Sequence, residues 1–191
     1  MEHTLKTISM DLSARSIDKA IKEINKFKED LARALEELAR YVTEEKGVGI
    51  AKMYVAQFPA VDTGALHDSI KGTYEAKNHM GVITAGEGLV DGSEDGKSYA
   101  FYVEYGTGIV GKQNPHPDPN GYQYDVNEHG SGGWYYKSEK GWYKPKDGGP
   151  RLAWTKGMPA RPFMYNTMLT LEEEVEREGG RIIAEYIPQK G

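Results

Sequence analysis

SARSIDKAIKEINKFKEDLARALEELARYVTEEK, residues 13–46, is the stretch on which the fold turns. Ile17, Ile21, Ile24, Phe27, Leu31, Leu35, Leu38 and Val42 recur at steps of three and four. That spacing lines them along one face of a long helix, with Lys22, Glu29, Arg33, Glu36, Glu37 and Arg40 mostly elsewhere. Ser13 or Ser16 stands where an N-cap is needed. The stripe is close to a heptad seam; its expected partner is a sheet of this same chain, with a coiled-coil partner as the alternative. Gly47 and Gly49 are expected to interrupt or loosen the helix, each at about 1 kcal/mol relative to alanine. Helical spacing resumes through Met53 and Tyr54, and Pro59 ends it.

Outward from that helix the pattern changes. Ile8, Met10 and Leu12 alternate with polar residues and predict a short strand. Beyond Pro59, Val61 to Leu66 forms a polar turn in which Gly64 is free to take φ > 0 and Asp62 or Thr63 to cap a short segment. Residues 69–85 predict a hairpin turning at Asn78 and His79, followed by a glycine-rich acidic loop over 86–97. Tyr99, Phe101, Val103 and Tyr105 share one parity, which predicts a strand ended by Gly106-Thr107-Gly108. Residues 109–157 hold all three tryptophans, and Trp134 to Lys137 is expected to pair with Trp142 to Lys144 as a small aromatic hairpin. About fifty residues with few aliphatics do not bury a core of their own, so this is expected to be an insertion in the sheet. Pro162 suits the first turn of a last helix carrying Met164, Met168, Leu171, Val175, Ile182 and Ile183, weakened at Gly179-Gly180 and stopped by Pro188. The order predicts a single α+β domain over 1–191: long N-terminal amphipathic helix and C-terminal helix packed on an antiparallel sheet, with an aromatic-rich hairpin insertion at about 109–157.

Composition narrows the function. The chain has 191 residues, a formal net charge of −5 and no cysteine. Disulfides, thiolate metal sites and cysteine nucleophiles are therefore excluded. Residues 1–12 hold no apolar run of the secretory kind, and no stretch reaches the ~18 apolar residues of a membrane span. Net acidity argues against a general nucleic-acid binder.

Three groups of residues invite chemical readings. Asp62-Thr63-Gly64 is similar to the active-site loop of aspartic proteases, but it follows a helix and a proline instead of an apolar strand. A turn between helix and sheet is the default, with an aspartic-type hydrolase at Asp62 as a remote alternative. His116, Asp118, Asp125, Glu128 and His129 are metal-ligand types without a metal-site spacing, and a solvated loop is the expectation. Lys137, Lys140, Lys144, Lys146, Arg151 and Lys156 interleave with Trp134, Tyr135, Tyr136, Trp142, Tyr143 and Trp154. This pattern suits either an interface with a neighbouring subunit or a nucleic-acid contact by the hairpin 134–156; acidity favours the interface. Glu104 is expected to be a solvated or ion-paired carboxylate on a strand. No catalytic residue, cofactor site or metal site is expected.

Taken in order, these residues carry a resemblance. Val61-Asp62-Thr63-Gly64-Ala65-Leu66 with Ser69-Ile70, then Tyr99-Ala100 with Val103 to Gly108, then Gly157-Met158-Pro159-Ala160-Arg161-Pro162-Phe163-Met164 resemble three ordered motifs of a bacteriophage family. That family comprises the minor tail and neck components, or tail-completion proteins, of lambdoid-type siphophages. Ala60 stands where the family runs proline straight into valine, and the insertion is longer than the family's. The resemblance implies a structural virion protein and not an enzyme. It would be made in the host bacterial cytoplasm and would form or complete a ring, hexameric in the virion, with other neck and tail proteins, touching DNA only as the genome passes. It implies structural roles for Asp62, Thr63, Gly64, Gly106, Gly108, Pro162 and Phe163, and the aromatic hairpin is the candidate for one side of the ring contact.

Overall fold

The computed structural model describes Asp11 and residues 13–58, 64–89, 98–122, 124, 132–138 and 140–186. It is an α+β arrangement, as the sequence predicts. The strand expected at Ile8 to Leu12 and the stop at Pro188 lie outside the described residues.

Helix α1 spans Ala14–Arg40, with the Ser13 side chain accepting from the Ser16 amide at its N-terminus. The chain does not break at the glycines. It passes through a π-helical stretch, Tyr41–Gly47, directly into α2, Val48–Ala56. Gly47 is buried in that stretch, where an added Cβ would overlap Ile83. The missing side chain is therefore used for packing, and the helix tolerates its propensity cost. A π turn carries more residues than an α turn, so it changes which face of the helix meets the rest of the chain.

A short helix, α3 (Ala65–Ser69), leads into β1 (Lys71–Glu75) and β2 (Met80–Thr84), which pair antiparallel from Lys71↔Thr84 to Glu75↔Met80. The turn includes His79 at φ 51°. This hairpin lies flat on the π stretch because it has glycine where the two meet. A Cβ on Gly72 would overlap the Thr43 carbonyl, and one on Gly81 would overlap the Thr43 hydroxyl. Glu44 holds the register by accepting from the Tyr74 amide at 3.1 Å. Gly72→Ala is expected to lose about 2–3 kcal/mol by chemical denaturation, because the obstructing atoms are backbone and cannot rotate away. An unchanged midpoint would show that the hairpin can lift off the helix without cost.

Tyr99–Tyr105 is a helix, α4, and not the predicted strand. Its buried residues are Ala100, Val103 and Glu104, the i, i+3, i+4 face of a helix. The alternation of aromatics masked that face, because a buried glutamate reads as polar. Gly106 ends α4 at φ 79°, so the Gly-Thr-Gly segment turns the chain out of a helix and not out of a sheet. Helix α5 follows, Gly108–Gln113.

The expected single sheet is also two separate ribbons. The second pairs β3 (Trp134–Lys137) with β4 (Leu152–Thr155), not with Trp142 to Lys144. Tyr143 instead exchanges both backbone hydrogen bonds with Leu152. A two-residue strand, β5 (Gly157–Met158), meets Thr107 and Gly108 and leads to α6, Phe163–Tyr186. Helix α6 lies along α2, the π stretch and the C-terminal end of α1. Lys46 reaches Glu174 at 3.9 Å, and Leu38 faces Gly179.

The core sits where α2, α3, α4 and the start of α6 meet. It contains Ala51, Val55, Leu66, Ile70, Ala100, Val103 and Phe163. Each of the three sequence motifs contributes: Leu66 and Ile70 from the first, Val103 from the second, Phe163 from the third. The α1 stripe does not reach this core. Leu38 is buried, but Ile17, Ile21, Ile24 and Leu35 are exposed, which corrects the expectation that the stripe packs on the chain's own sheet. No helix among the described residues is long and apolar enough to cross a membrane.

Candidate functional site

The start of α6 brings the second and third motifs together. A helix N-terminus presents amide groups with no partner inside the helix. Here Glu104, from α4, supplies the acceptors. Its carboxylate accepts from the Met164 amide at 2.9 Å and from the Tyr165 amide at 3.0 Å. The positive end of the helix dipole favours a negative charge at this point. Pro162 stands just before the helix, with its carbonyl accepting from the Asn166 amide.

His116 completes the arrangement. Its Nε2 lies 3.1 Å from Glu104 Oε1, and its Nδ1 sits beside the Asp118 amide and carbonyl at 2.9 and 2.6 Å. In both the Nε2 tautomer and the imidazolium, the Nε2 hydrogen points at Glu104. Both side chains are buried. The expectation of a solvated loop histidine is therefore overturned; Glu104, expected on a strand as a solvated or ion-paired carboxylate, lies instead on a helix and is paired with His116. Two buried polar groups persist here because each satisfies the other and Glu104 also satisfies the helix. Asp118 contributes backbone atoms only to these contacts. Asp125, Glu128 and His129 lie outside the described residues, as do Asp62 and Thr63. Among the described residues no group of three His, Cys, Asp or Glu is placed to hold a metal ion.

Aromatic rings close over the pair. Tyr105 lies 4.7 Å from the His116 ring and 5.1 Å from Tyr122, and Tyr165 meets His116 edge-on at 5.2 Å. The Tyr122 hydroxyl donates to the Gly106 carbonyl at 2.9 Å, and the Gly108 amide donates to the Tyr124 carbonyl at 2.8 Å. Gly106 and Gly108 have φ of 79° and 61° and run against the backbone of residues 156–160, where a Cβ would find no room. Gly64, at φ 72°, occupies the position before α3. An open cleft of about 840 Å³ adjoins the pair, walled by Ile83, Phe101, Phe163, Met164, Met168 and Leu171 among others.

The second ribbon is built differently. Tyr135 pairs with Trp154 across β3 and β4, with the rings edge-on at 4.8 Å. Tyr143 and Trp142 join them at 5.8 and 6.1 Å from the Tyr135 ring. These rings support one another and little else, since all four remain exposed, Trp142 at 69%. Tyr136, on the opposite parity, is exposed too, whereas Trp134 is half-buried and lies over Gly108. Five of the six residues expected at an interface thus stand open to solvent. The sixth anchors the ribbon to the body of the chain.

The Glu104–His116 pair was missed in the sequence. The signal that could have found it is the i, i+3, i+4 set of Ala100, Val103 and Glu104, continued by a histidine between two prolines. No protein-family model, no curated protein and no solved structure matches this chain.

Proposed function

We propose that this chain is a structural virion protein of a tailed phage or prophage, a subunit that forms or completes a ring at the head–tail junction or tail end. The observation that carries this reading is the open aromatic ribbon: Tyr135, Trp142, Tyr143 and Trp154 are gathered on one small surface and left uncovered. Large rigid aromatics are the residues that most often dominate a protein–protein contact. A ring needs one patch to meet a different patch on the next subunit. The ribbon offers the first, and the apolar cleft beside α6 is suited to be the second. The ordered resemblance of the three motifs supports the same reading. A non-catalytic role is supported by the structural use of Glu104, whose carboxylate accepts from two helix amides and lies against His116.

The test is mass by light scattering, on the chain alone and then mixed with a candidate tail-tube or neck protein, for the wild type and for Tyr135→Ala with Trp142→Ala. Both side chains are exposed, so the melting temperature is expected to move by no more than about 2 °C. Ring or complex formation is expected to weaken at least about tenfold, as loss of interface anchors does. Assembly that ignores both substitutions would overturn the ribbon as the contact. Salt-sensitive DNA binding, lost on charge reversal at Lys137 and Lys144, would move the ribbon to the genome in transit instead.

A further inference from the structure

Two strand edges stand open in this fold. In an antiparallel pair, residues that bond across the ladder alternate with residues whose amides and carbonyls point outward. The Tyr74 amide points away from β2, toward Glu44, so Tyr74↔Gly81 and Gly72↔Ile83 are outward pairs. Gly81 and Ile83 therefore turn their amides and carbonyls to the free edge of β2. On the ribbon, Leu152 bonds outward to Tyr143, so Lys137↔Leu152 and Tyr135↔Trp154 are outward pairs too. Tyr135 and Lys137 thus face the free edge of β3. Among the described residues, none of these four has a backbone hydrogen bond on that side.

The surfaces beside the two edges are complementary. Gly81 and Ile83 face the π stretch, Gly81 against Thr43 and Ile83 against Gly47. The apolar cleft opens beside them, with Met168 and Leu171 of α6 on its wall. On the ribbon, Tyr135, Tyr143 and Trp154 share one face. Trp134, on the other face, holds the ribbon to its own subunit over Gly108. Charge is divided in the same sense. Residues 134–156 contain six basic and two acidic residues, whereas α6 contains six acidic and two basic. Glu172 and Glu176 follow Met168 along α6 at steps of four and are exposed. Among the described residues neither enters an ion pair, since Arg177 and Arg181 are taken up by Glu174, Glu178 and Glu185.

We infer that β3 of one copy adds to the free β2 edge of the next copy, antiparallel, with Tyr135 opposite Ile83 and Lys137 opposite Gly81. The inference rests on the ring reading and specifies its contact. Each of the two pairs exchanges two hydrogen bonds, so the main chain supplies affinity, as in other contacts made by strand addition. Directly opposite residues in a ladder point to the same side. The aromatic face of the ribbon therefore turns toward the cleft and α6 of the next copy, while Trp134 stays on its own subunit. The basic ribbon comes to lie beside the acidic helix. One copy contributes β3 and the next contributes β2, so the contact is heterologous and runs head to tail. It also covers two edges that would otherwise pair with any exposed strand.

The chain has no native cysteine, so the register is directly readable. Val82 and Tyr136 fall opposite each other in it, and both are exposed. Chains carrying Val82→Cys are mixed with chains carrying Tyr136→Cys where light scattering shows assembly, and oxidised mildly. A mixed disulfide is expected, because opposite residues with Cα atoms ~4.5 Å apart lie within disulfide reach. Neither variant is expected to link to itself. Lys137→Pro removes an outward amide that the subunit does not use, a change that an edge strand tolerates. It is expected to keep the far-ultraviolet circular dichroism of the wild type and to weaken assembly at least about tenfold. Absence of the mixed disulfide in a sample that assembles, or full assembly by Lys137→Pro, would overturn the edge contact and leave the ring reading standing. A monomeric mass for the unmodified chain, alone and with a neck or tail protein, would overturn the ring reading and this contact with it.

Discussion

Glu104→Ala is expected to lower the stability of the fold by about 3–5 kcal/mol, the cost of removing a buried carboxylate on which several hydrogen-bond donors depend. Three donors lose their acceptor together: the amides of Met164 and Tyr165 and the His116 ring. Glu104 and His116 are both buried, so replacement partners are scarce on that side of the helix end. Glu104→Gln keeps one acceptor oxygen but turns an amide group toward other donors, so it is expected to cost about 1–3 kcal/mol, the penalty of a buried unsatisfied group. Urea unfolding of the two variants checks the order. A loss below about 1 kcal/mol for alanine would mean that the helix amides and the histidine find other partners, and that Glu104 is not what holds α4 to α6.

Phe163→Ala is the second large effect, at about 3–5 kcal/mol for a fully buried phenylalanine. Phe163 has no exposed surface and opens α6 in the middle of the core, beside Val55, Val103 and Ile70. The cavity cannot easily collapse. Pro162 limits the backbone before it, and the Thr167 hydroxyl donates to the Phe163 carbonyl at 2.6 Å, fixing the first turn. Phe163→Leu, which keeps most of the volume, is expected to lose less than half as much. Thermal unfolding separates them, at roughly 2–4 °C per kcal/mol for a domain of this size. Equal losses for the two would show that the ring's shape matters and its volume does not. The two sites share the α6 N-terminus, so a double variant is expected to be non-additive.

The long helix was legible because a stripe over several turns admits only one period, and Ser13 marks its start as the spacing predicts. The hairpin of β1 and β2 was legible for the same reason at period two. Residues 99–105 were not, because the run Tyr99, Phe101, Val103, Tyr105 satisfies both periods over so short a length. What decided for a helix was a contact distant in sequence, the burial of Glu104 against α6. The pairing of β3 was misread because a turn signal near residue 140 lies closer in sequence than its partner, Leu152 to Thr155.

The amino-acid order by itself determined the α+β class, the two long helices, the positions of the motif glycines and prolines, and the identity of the aromatic cluster. These rest on local spacing and on backbone freedom, which each short segment carries within itself. Tertiary structure alone decided that Glu104 and His116 pair in the interior, that Gly72 and Gly81 are there to let a hairpin lie on Thr43, and that Ile17, Ile21, Ile24 and Leu35 of the α1 stripe face solvent. Each of these depends on which surfaces approach one another. Approach is set by the whole chain's competition for burial, which no window of residues contains.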